Sequence, residues 1–207
     1  MSTAAGSAPV KLIASTVRDQ DASYGPDGRI AFVSDRSGSR EIWIATANGS
    51  SQVRITNFNG PDLANLQWSP NGHHLAFDGR VDGGSEIFSL DCDSSTTQCG
   101  SPRRVISAPA EVPSWSADGE FLYFASRRTG RWEVWKQRLS GGVPTQITRN
   151  GGYAARESQD GKWLYFSKDK TIWRIPAGNS AGQTAPGEEF VVGPTDHALV
   201  YGLDTDS

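Results

Sequence analysis

Four times along the chain, a run of alternating side chains follows an Asx-Gly pair, gives way to a polar stretch, and is answered by a second alternating run. The first copy reads Ile30-Ala31-Phe32-Val33 and then Glu41-Ile42-Trp43-Ile44; the second reads Leu75-Ala76-Phe77 and then Glu86-Ile87-Phe88. The third and fourth are Leu122-Tyr123-Phe124 with Glu133-Val134-Trp135, and Leu164-Tyr165-Phe166 with Thr171-Ile172-Trp173. A period of two predicts strands. Both alternating sets are largely apolar, so each strand is expected to be buried on both faces between neighbouring sheets. A strand ending at Tyr24, Trp68, Trp115 or Glu157 opens each unit, before the turns Asp27-Gly28, Asn71-Gly72, Asp118-Gly119 and Asp160-Gly161. Asx-Gly supplies the positive φ of a tight hairpin. Residues 53–56, 104–106 and 145–148 complete the first three units as fourth strands.

The turn glycines Gly28, Gly72, Gly119 and Gly161 follow one another at 44, 47 and 42 residues, the size of one four-stranded propeller blade. The pattern therefore predicts an all-β fold, a β-propeller of four-stranded antiparallel blades, with four complete blades and partial strands at each end. The blades are placed at residues 21–57, 62–107, 111–149 and 153–192 within a propeller spanning 10–203. Residues 10–15 and 197–203 are read as terminal strands, 1–9 as a flexible segment and 204–207 as an acidic tail.

Composition fits. Hydrophobic residues are only 36% of the 207, yet 7 Trp, 8 Phe and 5 Tyr can build the core that aliphatic residues alone would leave thin. The 23 Gly and 11 Pro argue for many turns and few helices. A net charge of −3 carries no nucleic-acid signature, and no apolar run reaches the ~20 residues of a membrane helix.

Pro26-Asp27-Gly28, Ile30-Ala31-Phe32, Ser34-Asp35-Arg36, Gly38 and Glu41-Ile42-Trp43 together resemble the WD40-like (PD40) repeat of the TolB-type β-propellers. Similar arrays occur in periplasmic TolB, in the propellers that gate prolyl-oligopeptidase-type peptidases, and behind winged-helix domains of bacterial regulators. The resemblance implies a binding fold without naming a function. TolB-type rings usually have six blades, so it also implies that the chain is part of a longer propeller, closes irregularly, or is complemented by a second copy through open edges.

Residues that recur at one place in every blade are read as structural: Glu41, Glu86 and Glu133 at strand starts, and Asp27, Asn71, Asp118 and Asp160 in turns. Deviations point to local chemistry. Glu157 stands where the other units carry an aromatic ring and needs a cation or water; Tyr153 and Arg156 flank it. The hairpins between second and third strands hold Arg36, Arg40, Arg80, Arg127, Arg128 and Arg131, with Arg149 in a connection between blades. Equivalent loops emerge on one face, so these residues are expected to form a basic rim for an acidic protein or peptide partner.

Cys92 and Cys99, with six residues between them, are read as a disulfide across a polar hairpin, which favours a periplasmic or other extracytoplasmic compartment. The stretch Asp91-Cys92-Asp93 lacks the Gly and Glu of a calcium loop, so no metal is expected, and no cofactor. There is no G-x-S-x-G elbow, H-E-x-x-H or P-loop. The leading expectation is a non-enzymatic binding module that does not bind nucleic acid or insert in a membrane. The alternatives are the non-catalytic propeller of a peptidase and the sensor domain of a winged-helix regulator.

Overall fold

A computed structural model describes residues 9–60, 62–81 and 83–178 and the backbone of one later strand, 188–190. Among the described residues, sixteen strands form four sheets. Blade one holds β1 (Asp19–Tyr24), β2 (Ile30–Ser34), β3 (Glu41–Ala45) and β4 (Val53–Arg54). Blade two holds β5 (Leu63–Trp68), β6 (His74–Val81), β7 (Gly84–Asp91) and β8 (Arg103–Ile106). Blade three holds β9 (Glu111–Trp115), β10 (Phe121–Ser126), β11 (Glu133–Arg138) and β12 (Thr145–Gln146). Blade four holds β13 (Tyr153–Glu157), β14 (Trp163–Lys168), β15 (Thr171–Pro176) and β16 (Glu188–Phe190). Every sheet is a four-stranded antiparallel meander in chain order. The alternation along the central strands builds it: each sheet offers one apolar face to the blade before it and another to the blade after.

The core therefore lies between sheets. Ala31, Val33, Ile42 and Ile44 of blade one meet Leu63, Leu75, Phe77 and Leu90 of blade two. Ala76 and Ile87 meet Trp115, Leu122 and Phe124 of blade three, whose Tyr123 and Val134 meet Ala155, Leu164, Phe166 and Ile175 of blade four. The first strands of successive blades also touch one another, β1 to β5, β5 to β9 and β9 to β13, and so form one continuous inner wall.

The turn chemistry repeats as well. Gly72, Gly119 and Gly161 take φ of 73°, 73° and 69°. Ahead of them, the hydroxyls of Ser69, Ser116 and Ser158 donate to Asn71, Asp118 and Asp160 at 2.5–2.7 Å. Those side-chain oxygens then accept the backbone N–H two residues on, as in an Asx turn.

Two departures from the sequence reading have physical causes. Residues 10–15 form no strand. Ile13 packs on Ile30, Phe32 and Ala45, on the face of blade one turned away from blade two. Lying over a face and not along an edge, the segment finds no ladder to join. Beyond blade four, the strand expected at 197–203 and the tail at 204–207 lie outside the described residues, as do residues 1–8. Two of the fourth strands are also shorter than the alternation suggests: β4 ends at Arg54 and β12 at Gln146. The Thr56 and Thr148 hydroxyls take over, accepting the N–H groups of Ile42 and Val134 at 2.8 Å each. A short hydroxyl side chain competes with the ladder in this way.

Candidate functional site

The recurring glutamates are buried fastenings. Glu41 accepts from Thr56 Oγ1 at 2.6 Å and from the N–H groups of Phe58 and Asn59 at 3.1 and 2.9 Å. Glu133 accepts from Thr148 Oγ1 at 2.6 Å, from Gly151 N at 3.1 Å and from Arg131 Nε at 2.8 Å. Desolvation pushes the Glu41 carboxyl up, but the hydrogen bonds from Thr56, Asn59, Phe58 and Ser39 outweigh it and hold the group below its ordinary value. Blade two departs from the pattern: Glu86 pairs with Arg104 at 3.1 Å. These contacts bring the β2–β3-type hairpins and the connections between blades to one face of the molecule.

On that face most of the cations are engaged. The Arg36 guanidinium lies 5.0 Å from both the Phe32 and Trp43 rings and pairs with Asp19 at 2.9 Å. Arg128 repeats the arrangement over Phe124 and Trp135 at 5.2 and 4.9 Å, and desolvation lowers its pKa. Arg40 pairs with Asp62 at 2.5 Å and Asp35 at 3.7 Å. Arg131 pairs with Glu133 and donates to the Arg149 carbonyl. Arg127 stacks on Trp132 at 4.4 Å. Arg80, Arg127 and Arg149 keep exposed positions without a carboxylate partner among the described residues.

Tyr153 and Glu157 end at opposite ends of β13. The Tyr153 hydroxyl donates to Glu111 Oε2 at 3.2 Å, and its ring meets Trp132 edge-on. Glu157, expected to need a cation or water, instead accepts the Tyr123 hydroxyl at 2.6 Å and the Ala117 N–H at 3.2 Å, both from blade three. Desolvation, and then that hydrogen bond and charge, drive the Tyr123 phenol far above its ordinary value. The carboxylate thus does what Trp115 does one blade earlier, where the indole N–H donates to Gln67 O at 2.9 Å: it fastens its blade to the one before.

Along the inner wall each first strand carries a bulge. The register slips between Gln20 and Ser23, Ala64 and Gln67, and Tyr153 and Arg156, and opposite Glu111 and Ser114. The residues at the slip, Asp21, Asn65, Val112 and Ala154, take φ of 52°, 55°, 54° and 46°. A bulge frees backbone groups from the ladder. The Val112 N–H goes to Asp78 Oδ2 on the preceding blade at 3.0 Å, and the Asn65 N–H serves Asp21. Burial pushes the Asp78 carboxyl up to about 6, against the bonds that it accepts from the Val112 N–H and the Asn65 side-chain amide. Asp78 was not singled out in the sequence. Alignment of the repeats sets it beside Val33, Ala125 and Ser167, so a carboxylate at an otherwise uncharged place was the available signal.

Arg156 extends along the wall to Gln67 Oε1, two blades away. Asp27 and Arg29 make a further clamp. The Arg29 guanidinium is paired to Asp27, stacked on Trp68 at 4.5 Å, and bonded to the carbonyls of Asp93 (2.7 Å) and Thr96 (3.0 Å). Both carbonyls lie in the loop closed by the Cys92–Cys99 disulfide. Among the described residues, no three His, Cys, Asp or Glu side chains gather as a metal site would require.

Radially stacked four-stranded meanders with a shared inner wall define a β-propeller. A model of the TolB beta propeller domain matches residues 52–185, and the chain belongs to that family. An uncharacterised protein of Agrobacterium fabrum is 29% identical over 168 residues, 78% of this chain and 55% of its own length. The Tol-Pal system protein TolB of Desulfosudis oleivorans is 29% identical over 127 residues, covering 61% of this chain and 28% of the relative. The chain thus spans 55% and 28% of the curated relatives it matches. Among solved structures, TolB from Acinetobacter baumannii superposes with a TM-score of 0.69 at 19% identity, over 87% of this chain and 45% of that one. A puromycin-hydrolyzing peptidase of Mycobacterium tuberculosis gives a TM-score of 0.62 at 23% identity, over 76% and 28%. At these identities the structural likenesses speak for the fold.

Proposed function

We propose that the chain is a non-enzymatic binding module of TolB type that serves as part of a larger propeller and takes a protein or peptide partner outside the cytoplasm. The family match over residues 52–185, with a Tol-Pal system protein among the relatives, carries this reading. The Cys92–Cys99 disulfide supports the compartment, because oxidising surroundings keep such bonds closed. The working surface is the hairpin face of blades two and three. There Arg80, Arg127 and Arg149 present charge, while Arg36, Arg40, Arg128 and Arg131 are committed to rings and carboxylates. Loop side chains held by rigid sheets are the usual place for recognition.

The test is photocrosslinking from positions 80 and 127 in a periplasmic extract, with position 54 on an outer strand as control. A saturable adduct from the hairpin face alone, lost in an Arg80→Glu/Arg127→Glu/Arg149→Glu variant, is the expected result. Equal adducts from all positions, or none, would reject the reading.

A second reading has one observation behind it: the peptidase likeness covers 76% of this chain but only 28% of that protein. As the propeller of a peptidase, the chain would be flanked in its gene by a domain bearing a nucleophile elbow. Sequencing the flanking DNA decides between the two.

A further inference from the structure

Arginines withdrawn from water in this protein have something to answer their charge. Arg29 has Asp27 at 2.5 Å, Arg36 has Asp19 at 2.9 Å, and Arg40 has Asp62 at 2.5 Å. Arg174 lies 4.4 Å from the Trp163 ring. Arg156 is half-buried on the inner wall, and among the described residues its side chain meets neither a carboxylate within ion-pair distance nor an aromatic face. Among the described residues, its guanidinium has one hydrogen bond, to the neutral amide oxygen of Gln67 across blade three. Desolvation alone acts on its pKa and lowers it.

The acids nearby are spent elsewhere. Glu157, the next residue, is taken by Tyr123 and Ala117, and Glu111 by Tyr153. Repeat alignment sets Arg156 beside Ser23, Gln67 and Ser114, so the guanidinium is particular to blade four and absent from the shared blade plan. Of the two ends of the Gln67 amide, the oxygen holds Arg156, which leaves the NH2 group as a second donor beside the guanidinium fork.

A guanidinium partly stripped of water and left without a counter-ion is costly, and a planar carboxylate matches its fork with two parallel hydrogen bonds. We infer that Arg156 and Gln67 form a carboxylate-binding site on the inner wall of the propeller, which holds an acidic group of a ligand entering along the axis. The site rests on the reading of the chain as a binding module and adds to it the chemistry of one contact. The carboxylate comes either from an acidic peptide segment or from a small organic acid; the recognition is the same.

The experiment titrates the full chain with three probes: a short labelled peptide containing two glutamates, the same peptide with glutamines in their place, and succinate. Trp115, whose indole is bonded to the Gln67 carbonyl, supplies a fluorescence signal beside isothermal calorimetry. The acidic peptide or succinate is expected to bind, with affinity falling as salt rises. Arg156→Gln is expected to weaken it at least about tenfold with thermal stability preserved. Should Arg156→Gln fail to fold, Arg156→Lys keeps the charge without the fork and is expected to weaken binding severalfold. Succinate binding as tightly as the peptide supports the site and assigns a small acid to it; binding of the acidic peptide alone assigns a peptide. Equal binding of the acidic and glutamine peptides, or unchanged binding by Arg156→Gln, overturns the carboxylate site and leaves the peptide-binding reading standing. No binding of any probe overturns the site, whereas the binding-module reading then rests on the crosslinking result alone.

Discussion

Asp78 is a carboxyl group held where its charge is unwelcome, and replacing it by asparagine measures the cost. The group is pushed up from 3.8 to about 6 by desolvation, with Glu111 and Asp21 adding to the upward push. A folded-state value above the unfolded one means that the native protein holds the proton more tightly. Stability from this group is therefore fully present below pH 3.8 and is lost as pH rises through about 6. At 1.36 kcal/mol per unit, the swing is ~3 kcal/mol. Asparagine has the same shape and no charge. Its oxygen can keep the Val112 N–H, and a flipped Asn65 amide can offer its oxygen to the new NH2. Urea unfolding of the wild type and Asp78→Asn, followed by Trp fluorescence from pH 4 to pH 7.5, should give curves whose difference changes by ~2.4 kcal/mol, the part of the swing that falls in this window, with the variant gaining on the wild type as pH rises. Taking the difference cancels groups such as Asp19, Asp27 and Asp118, which are held below their ordinary values and act in the opposite direction. Parallel curves over the whole range would refute the argument that burial of this carboxylate opposes folding at neutral pH.

Three further outcomes follow from the same structure. Cys92→Ser/Cys99→Ser should lower stability by about 2 to 3 kcal/mol on chain-entropy grounds for so short a loop. It should also loosen the Arg29 clamp, read as faster amide exchange at Gly72, whose carbonyl Arg29 holds at 2.7 Å. Glu41→Gln and Glu133→Gln put an NH2 among donors that need acceptors and should each cost roughly 2 to 4 kcal/mol in chemical denaturation. Arg36→Ala, which removes an ion pair and two ring contacts, should lower stability by about 1 to 2 kcal/mol, whereas Arg80→Ala stays within about 0.5 kcal/mol. Equal effects of the two arginine changes would show that the hairpin cations are energetically alike.

The blades were legible because the same alternation recurs around the same turn, and burial between sheets leaves that alternation little freedom. What each cation does was not. Arg36 and Arg80 occupy comparable hairpins, yet one is locked over Phe32 and Trp43 and the other stands in water, and spacing does not encode which ring a guanidinium reaches. The stretch at Val10 alternates like a strand but has no edge to join, and a strand pattern does not report the presence of a partner. Glu157 was visible as an exception; its partner, the Tyr123 phenol, was hidden because Tyr123 belongs to a neighbouring repeat. Asp78 among the second strands and Arg156 among the first are exceptions of the same kind as Glu157, a charge where the other repeats carry none.

The left-handed residues of the first strands have a consequence for how such a protein can be rearranged. Two of the slips turn an amide toward the blade before, where the matching oxygen sits: Asp21 for Asn65, Asp78 for Val112. The modules look alike from outside, yet blades two and three are keyed to their predecessors at the hub. Cutting out one module, or reversing two, would join a lock to the wrong key, so an engineer recombining this architecture should move neighbours together and place the junction at the outer edge.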